Sequence, residues 1–250
     1  MRGAIRTGLT AAILVGIWAA ASEAARSALF PGPLEVARSL ASAAAEGTLG
    51  RAVLVSGLRL FAGYAIALAI GVPLGLVLAR APAIKRALGP LLLGLSSVPS
   101  ICWLPLAIVW FGLSEAAIQL VIVLGAALPV TLATESAVRQ LPPTIERAAR
   151  TMGARGPTLL FRVLLAAALP GILTGAKMGW PFALRSLMAG ELLFVSGGLG
   201  QLLETGRDLA DTALVLGVVV VIVLASRASE RVLFGPLERV VARRWGTVAS

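Results

Sequence analysis

Six long apolar runs, separated by short polar segments, form the hydrophobic pattern of this chain. They predict membrane spans over residues 7–24, 58–79, 88–112, 116–137, 165–195 and 209–228. Each run is near the roughly 20 residues that a tilted helix needs to cross the hydrocarbon core of a bilayer. The sequence therefore predicts an all-α integral membrane protein with six transmembrane helices, in which residues 1–250 form a single domain.

The first and third runs depart from a plain span. The first follows Arg2 and Arg6 and ends in small residues, a pattern that secretory signal peptides share. Because more apolar sequence follows, we interpret it as an uncleaved span. The third run contains Pro90, Pro99 and Pro105, which predict a helix that is kinked or begins late.

Basic residues between the runs are distributed unevenly. Fifteen lie on one side: Arg2, Arg6, Arg80, Lys85, Arg86, Arg139, Arg147, Arg150, Arg155, Arg162, Arg227, Arg231, Arg239, Arg243 and Arg244. Four lie on the other side: Arg26, Arg38, Arg51 and Arg207. The positive-inside rule predicts that both termini are cytoplasmic. The basic segment 139–162, between the fourth and fifth spans, is then cytoplasmic too.

Composition agrees with a membrane protein and argues against catalysis. Hydrophobic residues make up 58% of the chain and charged residues 14%, and the mean hydropathy is +0.93. The net charge of +10 would suit nucleic acid, but the arginines follow membrane topology, so no nucleic-acid partner is expected. The sequence has no histidine, one cysteine (Cys102) and no GxxxxGK phosphate loop, so neither a metal site, catalytic residues nor a nucleotide site is expected.

The segment 139–162 predicts two short helices with a break between them. Pro142-Pro143-Thr144 is typical of a helix start, with Thr144 as a candidate cap, and the first helix is expected to reach Gly153. Pro157 suits the first turn of a second helix. The small residues of the segment are expected to be exposed and to let a partner's surface approach closely: Ala148, Ala149, Gly153 and Ala154.

This segment resembles the cytoplasmic EAA loop of permease subunits in binding-protein-dependent ABC importers. The family pattern is E-A-A, three residues, G, nine residues and then I-x-L-P. This chain has Arg147-Ala148-Ala149, then Gly153, then Val163-x-Leu165. It departs from the pattern at Arg147, where the glutamate stands one residue earlier, and at Ala166, which replaces the proline.

The resemblance covers nearly the whole chain. "LFPGPLEVARSL", "SGLRLFAGYAIALAIGVPLGLVLAR", "WLPLAIVWFGLSE" and "GAKMGWPFALRSLMAGELL" are similar to segments of the nitrate, sulfonate and taurine branch. The resemblance implies a type I ABC importer permease in a bacterial inner membrane, passing a small anionic solute to the cytoplasm. Nitrate, sulfonates, taurine, bicarbonate and thiamine-precursor pyrimidines all stay open as solutes.

The same resemblance implies a set of partners and a coupling helix. Two cytoplasmic ATPase subunits would bind ATP and magnesium, an extracytoplasmic binding protein would deliver solute, and a second permease copy or a related permease would complete the pathway. The implied ATPase-coupling residues are Glu146, Arg147, Ala148, Ala149, Met152, Gly153, Ala154 and Arg155.

Three charged residues in the fifth span are candidates for the translocation path. Lys177, Arg185 and Glu191 are costly in a bilayer, which makes them functional candidates. Lys177 and Arg185 lie about two helical turns apart and could share a face. The alternative is structural: Arg185 would pair with Glu191 or Glu115, and Lys177 would extend to the cytoplasmic interface.

Two further alternatives follow from the sequence. Gly63, Ala67, Gly71 and Gly75 form a small-residue face that predicts either close packing within the chain, which we favour, or a dimer seam. The rival function is an ion-coupled secondary transporter that works without an ATPase. It would call for acidic residues inside the spans, and the central runs carry no Asp.

Overall fold

The computed structural model describes residues 2–25, 27, 29–193 and 197–245, with only the backbone described for residues 2–8, 193, 244 and 245. Every regular element among these residues is helical, which confirms the all-α prediction. The helices are α1 (Arg2–Ala25), α2 (Pro33–Ala45), α3 (Thr48–Arg80), α4 (Pro82–Ser97), α5 (Leu104–Phe111), α6 (Glu115–Arg139), α7 (Pro143–Thr151), α8 (Gly156–Thr158), α9 (Leu165–Leu193), α10 (Leu199–Asp208), α11 (Thr212–Ser229) and α12 (Gly235–Trp245).

Four helices of the described chain are long and apolar enough to span a bilayer. They cover Thr48–Arg80, Glu115–Arg139, Gly156–Leu192 and Thr212–Arg243. A fifth span results if α4 and α5 count as one broken helix, and α1 has a shorter apolar stretch, Leu9–Ala25. The four helices contain the predicted second and fourth runs and overlap the fifth and sixth. Residues 194 and 195 of the fifth run lie outside the described residues, the last helix begins at Thr212 rather than at 209, and the count of six stays a prediction.

The third predicted span is sharply broken. α4 ends at Ser97, a 3₁₀ turn runs from Ser100 to Trp103, and α5 follows at a bend of 101°. Pro99 occupies the break and cannot donate a backbone hydrogen bond. The kink predicted from the prolines is therefore present, although the helix begins at Pro82 rather than late.

The chain divides into two compact units. The first contains residues 1–56 and 194–224. Within it the Trp18 indole donates to the carbonyl of Pro31 at 3.2 Å, and Gly217 of α11 lies so close to α2 that an added Cβ would be 2.8 Å from Leu40 Cγ. α2 and α10 lie in this unit, and the apolar runs alone did not predict either of them.

The second unit contains residues 57–193 and 225–250 and is centred on α6 and α9. Leu76, Val138, Ala168 and Ile172 form a buried cluster at one end of this packing. α3 approaches α6 through Gly63, Gly71 and Gly75, where an added Cβ would lie within 3.0 Å of α6 atoms. The favoured interpretation of the small-residue face, close packing within the chain, is therefore what the structure shows.

Replacing Gly75 with alanine should destabilise the permease. Its added Cβ would lie 2.6 Å from the Thr131 carbonyl oxygen, and backbone cannot move aside cheaply. We expect the free energy of unfolding to fall by about 1–3 kcal/mol. The matched control is Gly57→Ala in the same helix, where nothing lies within 4 Å and better helix propensity should be neutral or stabilising. Equal stability of the two variants in detergent titrations would contradict this packing.

Candidate functional site

The segment between α6 and α9 forms a separate short helix. α7 runs from Pro143 to Thr151, with Pro142 at the N-cap position and Met152 at the C-cap. Thr144 lies inside the first turn, so the prediction that it caps the helix was wrong. Gly153 follows with φ +87°, a left-handed conformation that glycine adopts without strain. The predicted break at this glycine is present.

A small apolar cluster holds α7 against the chain. Ala149, Leu159 and Leu164 are buried together, with Leu141 and Ala154 packed against them. The expectation that Ala149 and Ala154 are both exposed was therefore wrong, because Ala149 is only 1% exposed and Ala154 is half-buried. A signal was available, since Ile145 and Ala149 are four residues apart and share a helix face.

The opposite face of the segment is open. Arg147, Ala148, Gly153 and Arg155 are exposed, and the side chain of Met152 is 81% exposed. A large exposed methionine beside a glycine turn gives an adaptable apolar surface. Of the eight predicted coupling residues, five are thus exposed, Glu146 and Ala154 are half-buried, and Ala149 alone is buried.

Glu146 links α7 to the end of α3. Its carboxylate accepts hydrogen bonds from Arg80 Nη1 at 2.8 Å and from Arg150 Nη2 at 2.7 Å. The Arg80 hydrogen bond is the largest cause that lowers the pKa of Glu146 below its ordinary value, and the Arg150 bond adds to it. Both contacts favour the charged carboxylate.

Protonation of Glu146 should loosen α7. Because its folded pKa lies below the unfolded value, the contacts stabilise the helix above the ordinary pKa and are lost as pH falls through the lowered one. We expect slower amide hydrogen exchange in α7 of the wild type than in Glu146→Gln at neutral pH. The difference should be a few-fold, as for exposed pairs worth about 1 kcal/mol or less. It should shrink as the pH falls below the ordinary glutamate pKa and vanish once the pH is below the lowered pKa of Glu146. A difference that persists at the lowest pH would contradict this role.

Glu191 of α9 is held in a buried ion-pair cluster that the sequence did not predict. Its carboxylate is bonded to Arg59 Nη1 at 2.9 Å, and Arg59 also donates from Nε to Glu115 at 2.7 Å. The side chains of Arg59 and Glu191 are 8% and 0% exposed. The suggested pairing of Arg185 with Glu191 or Glu115 was wrong in that Arg59 occupies both carboxylates.

Lys177 is bonded to the C-terminal part of the chain. Its Nζ lies 3.1 Å from Glu230 and 3.0 Å from Glu238 of α12. Nearby, the buried Trp180 packs edge-on to Phe234 with ring centroids 6.1 Å apart. These contacts attach the C-terminal segment 230–238 to α9 and give Lys177 a structural role.

Arg185 lines a cavity at the broken span. The cavity has a volume of about 380 Å³ and contains Arg185, Phe182 and residues of the α4–α5 break in its wall. The Arg185 guanidinium lies 5.6 Å from the centroid of the Phe182 ring, within the range of a cation–π contact. Of the three charged residues predicted for a translocation path, Arg185 alone lines this cavity.

The long apolar helices, one of them sharply broken, have the length and composition of an all-helical integral membrane protein. Comparison with known proteins specifies the family. The model of the binding-protein-dependent transport system inner membrane component matches residues 71–229, which is more than half of the chain. The chain belongs to this family and is an ABC importer permease subunit, a transport component rather than an enzyme.

Relatives support the branch that the sequence resembled. The taurine transport system permease protein TauC of Escherichia coli (strain K12) is 30% identical over 225 residues, covering 87% of this chain and 82% of TauC. An aliphatic sulfonates transport permease protein, SsuC of Bacillus subtilis (strain 168), is 25% identical over 224 residues, with 89% and 81% coverage. An ABC transporter permease protein of Methanocaldococcus jannaschii is 31% identical over 186 residues, with 74% and 70% coverage.

A solved structure shows the same fold. The MetNI methionine ABC transporter, in an inward-facing conformation, matches with a TM-score of 0.68 over 78% of this chain and 97% of the matched chain. At 23% identity this likeness shows the fold alone, which is that of a type I ABC importer permease.

Proposed function

We propose that this chain is the transmembrane subunit of an ATP-driven importer that passes a small anionic solute from an extracytoplasmic binding protein into the cytoplasm. The observation that carries the proposal is α7, a separate helix with an exposed Met152–Gly153 turn, in a chain of the permease family. Such a helix gives a cytoplasmic ATPase a separate, exposed docking surface. ATP and magnesium are bound by that partner and not by this chain.

The coupling surface consists of Arg147, Ala148, Met152, Gly153 and Arg155, all exposed on α7 and its following turn. Met152 and the glycine backbone form the contact that an ATPase groove closes on. Glu146 and the buried Ala149 act behind this surface, where the first is bonded to Arg80 of α3 and the second packs on Leu159 and Leu164. Ala154, half-buried in the same cluster, supports the turn.

Motion of the ATPases reaches the spans through these two attachments. The Arg80–Glu146 pair connects α7 with α3, and the Ala149 cluster connects it with the segment that continues into α9. Movement of α7 therefore biases two spanning helices at once, which is the kind of two-state element that switching requires.

The proposed assembly contains two permease copies and two ATPase subunits in a bacterial inner membrane. Each permease has six spans with cytoplasmic termini and functions as one domain, which the basic residues between the apolar runs support. We propose a homodimer, in which the second copy completes the pathway.

The solute is proposed to be a sulfonate, taurine, nitrate or a similar small anion. The names of TauC and SsuC support the first two. Arg185 in the broken-span cavity supports an anion in general. Glu191 and Lys177 are assigned structural roles near the path, in ion pairs with Arg59 and with the C-terminal segment.

ATP-driven uptake into vesicles tests this function against the ion-coupled alternative. Vesicles hold the permease with its cognate ATPase, and the binding protein and labelled taurine or nitrate are added outside. We expect uptake only with ATP and the ATPase inside, whatever the ion gradient. Uptake driven by a proton or sodium gradient in vesicles without the ATPase would instead establish a secondary transporter.

A further inference from the structure

The bend between α4 and α5, together with Arg185, has the features of a ligand site inside the permease. Non-helical backbone at membrane depth is tolerated where it is buried in protein or lines a cavity. Here the backbone around Pro99 borders a cavity of about 380 Å³, a volume at the lower end of the range for small-molecule sites.

The charge of this cavity selects for an anion. Among the described lining residues Arg185 carries the one charge, and it forms no ion pair with another described residue. The carboxylates nearest along α9 and in the tail are bonded to other cations, namely Glu191 to Arg59 and Glu238 to Lys177. A cation without a carboxylate inside a membrane span is costly unless a ligand or water serves it.

The remaining wall indicates which anion fits. The Ser96 and Ser97 hydroxyls donate to the carbonyls of Leu93 and Gly94. The Ser100 hydroxyl makes no hydrogen bond to another described residue, so its proton is free for a ligand. Most of the other lining is apolar. A guanidinium and one available hydroxyl in the lining of a mostly apolar cavity suit an oxyanion head that carries a short hydrocarbon body.

We propose that Arg185 and Ser100 bind the sulfonate group of a short-chain organosulfonate within the permease itself. This inference rests on the proposed function and narrows its solute to a class. The permease then contributes to selectivity after the binding protein has released the solute. Nitrate, which lacks a hydrocarbon body, would leave the apolar part of the cavity unfilled.

Chemical labelling of the cavity tests the site without any partner. A cysteine is placed in the wall by Ser97→Cys in a Cys102→Ser chain, since the Ser97 proton is already used on Gly94. The purified chain in lipid vesicles is reacted with the anionic 2-sulfonatoethyl and the cationic 2-trimethylammonioethyl methanethiosulfonates. The ratio of their rates reports the local charge, and butanesulfonate is the competing probe.

We expect Arg185→Ala to lower the anionic-to-cationic rate ratio about fivefold, because the guanidinium lines the same cavity as residue 97 and attracts the anionic reagent while repelling the cationic one. Lys177→Ala is the matched control and should leave the ratio unchanged. Butanesulfonate should slow anionic labelling in the arginine-containing chain and lose this effect in Arg185→Ala and, in part, in Ser100→Ala.

Three results would overturn the proposal: a ratio that Arg185→Ala leaves unchanged, protection by butanesulfonate that survives this variant, or equal protection by nitrate. The labelling requires neither ATPase nor binding protein. If Arg185→Ala lowers the labelling ratio as expected but ATP drives no uptake, the proposed function is contradicted and the anion site is supported. If ATP drives uptake but Arg185→Ala leaves the labelling ratio unchanged, the proposed function is supported and the anion site is contradicted.

Discussion

Replacing Gly153 with aspartate should reduce the amount of ATPase that co-purifies with the permease by at least about tenfold, equivalent to about 1.4 kcal/mol of lost association free energy. Gly153 has φ +87° and nothing within 4 Å of an added Cβ, so no neighbouring atom obstructs the new side chain, although the positive φ strains the backbone. Aspartate is among the residues that tolerate this backbone conformation best. The added bulk and charge would instead obstruct a partner that contacts the turn.

The control for this variant is Gly47→Asp. Gly47 has φ +76° and open space around it, and it lies between α2 and α3, away from the coupling segment in sequence. It therefore introduces a similar backbone strain and the same charge at a turn outside the coupling segment. Retention of ATPase by the Gly153→Asp permease at the level of Gly47→Asp would show that the turn is not part of the docking surface.

Replacing Arg59 with alanine should have the largest effect on stability. The change removes the guanidinium that is bonded to the Glu191 carboxylate, which is 0% exposed. Removing one partner of a buried pair is strongly destabilising. We expect the free energy of unfolding in mixed micelles to fall by about 2 kcal/mol or more. The loss of the Arg59 contact costs less free energy at Glu115, because its side chain is 61% exposed and water can solvate it.

Two comparisons separate this cost from a general loss of charge. Arg207→Ala removes an exposed pair with Glu204 and should cost about 1 kcal/mol or less. The double variant Arg59→Met with Glu191→Gln removes both charges and should recover much of the lost stability. A double variant as unstable as Arg59→Ala would indicate that lost packing around Arg59, and not the loss of the charge bonded to Glu191, causes the destabilisation.

The sequence predicted the spans well because bilayer burial depends on local apolar length. The second and fourth runs lie inside long apolar helices, the fifth and sixth overlap two others, and the prolines of the third run predicted its break. The apolar runs did not predict α2 and α10, because these helices are short and amphipathic and contain no long apolar run.

Long-range ion pairs could not be predicted in the same way. Arg59 lies at the start of the second predicted span, 58–79, and nothing near it in the sequence indicates a partner. Its partners Glu115 and Glu191 are 56 and 132 residues away along the chain, and no local pattern connects such positions. Lys177 likewise meets Glu238, 61 residues on.

The candidate coupling segment was predicted in outline and corrected in detail. Its glycine break followed from Gly153 and Pro157, whose backbone preferences are local. The orientation of Ala149 depended on Leu159 and Leu164 folding back beneath α7. Alanine is small enough to lie on either the buried or the exposed face of a helix, so the residue type of Ala149 did not predict which face it occupies.

Cysteine cross-linking tests directly whether α7 and its Met152–Gly153 turn contact the ATPase. The single native cysteine is removed by Cys102→Ser, and Met152→Cys places a thiol on the side chain that is 81% exposed. Leu209→Cys, at a position 72% exposed between α10 and α11, is the control. If α7 is the coupling helix, a short thiol cross-linker joins the ATPase to the chain with Met152→Cys and not to the control. No cross-link at Met152→Cys in an assembly that retains its ATPase, or equal cross-linking at both positions, would contradict α7 as the coupling helix.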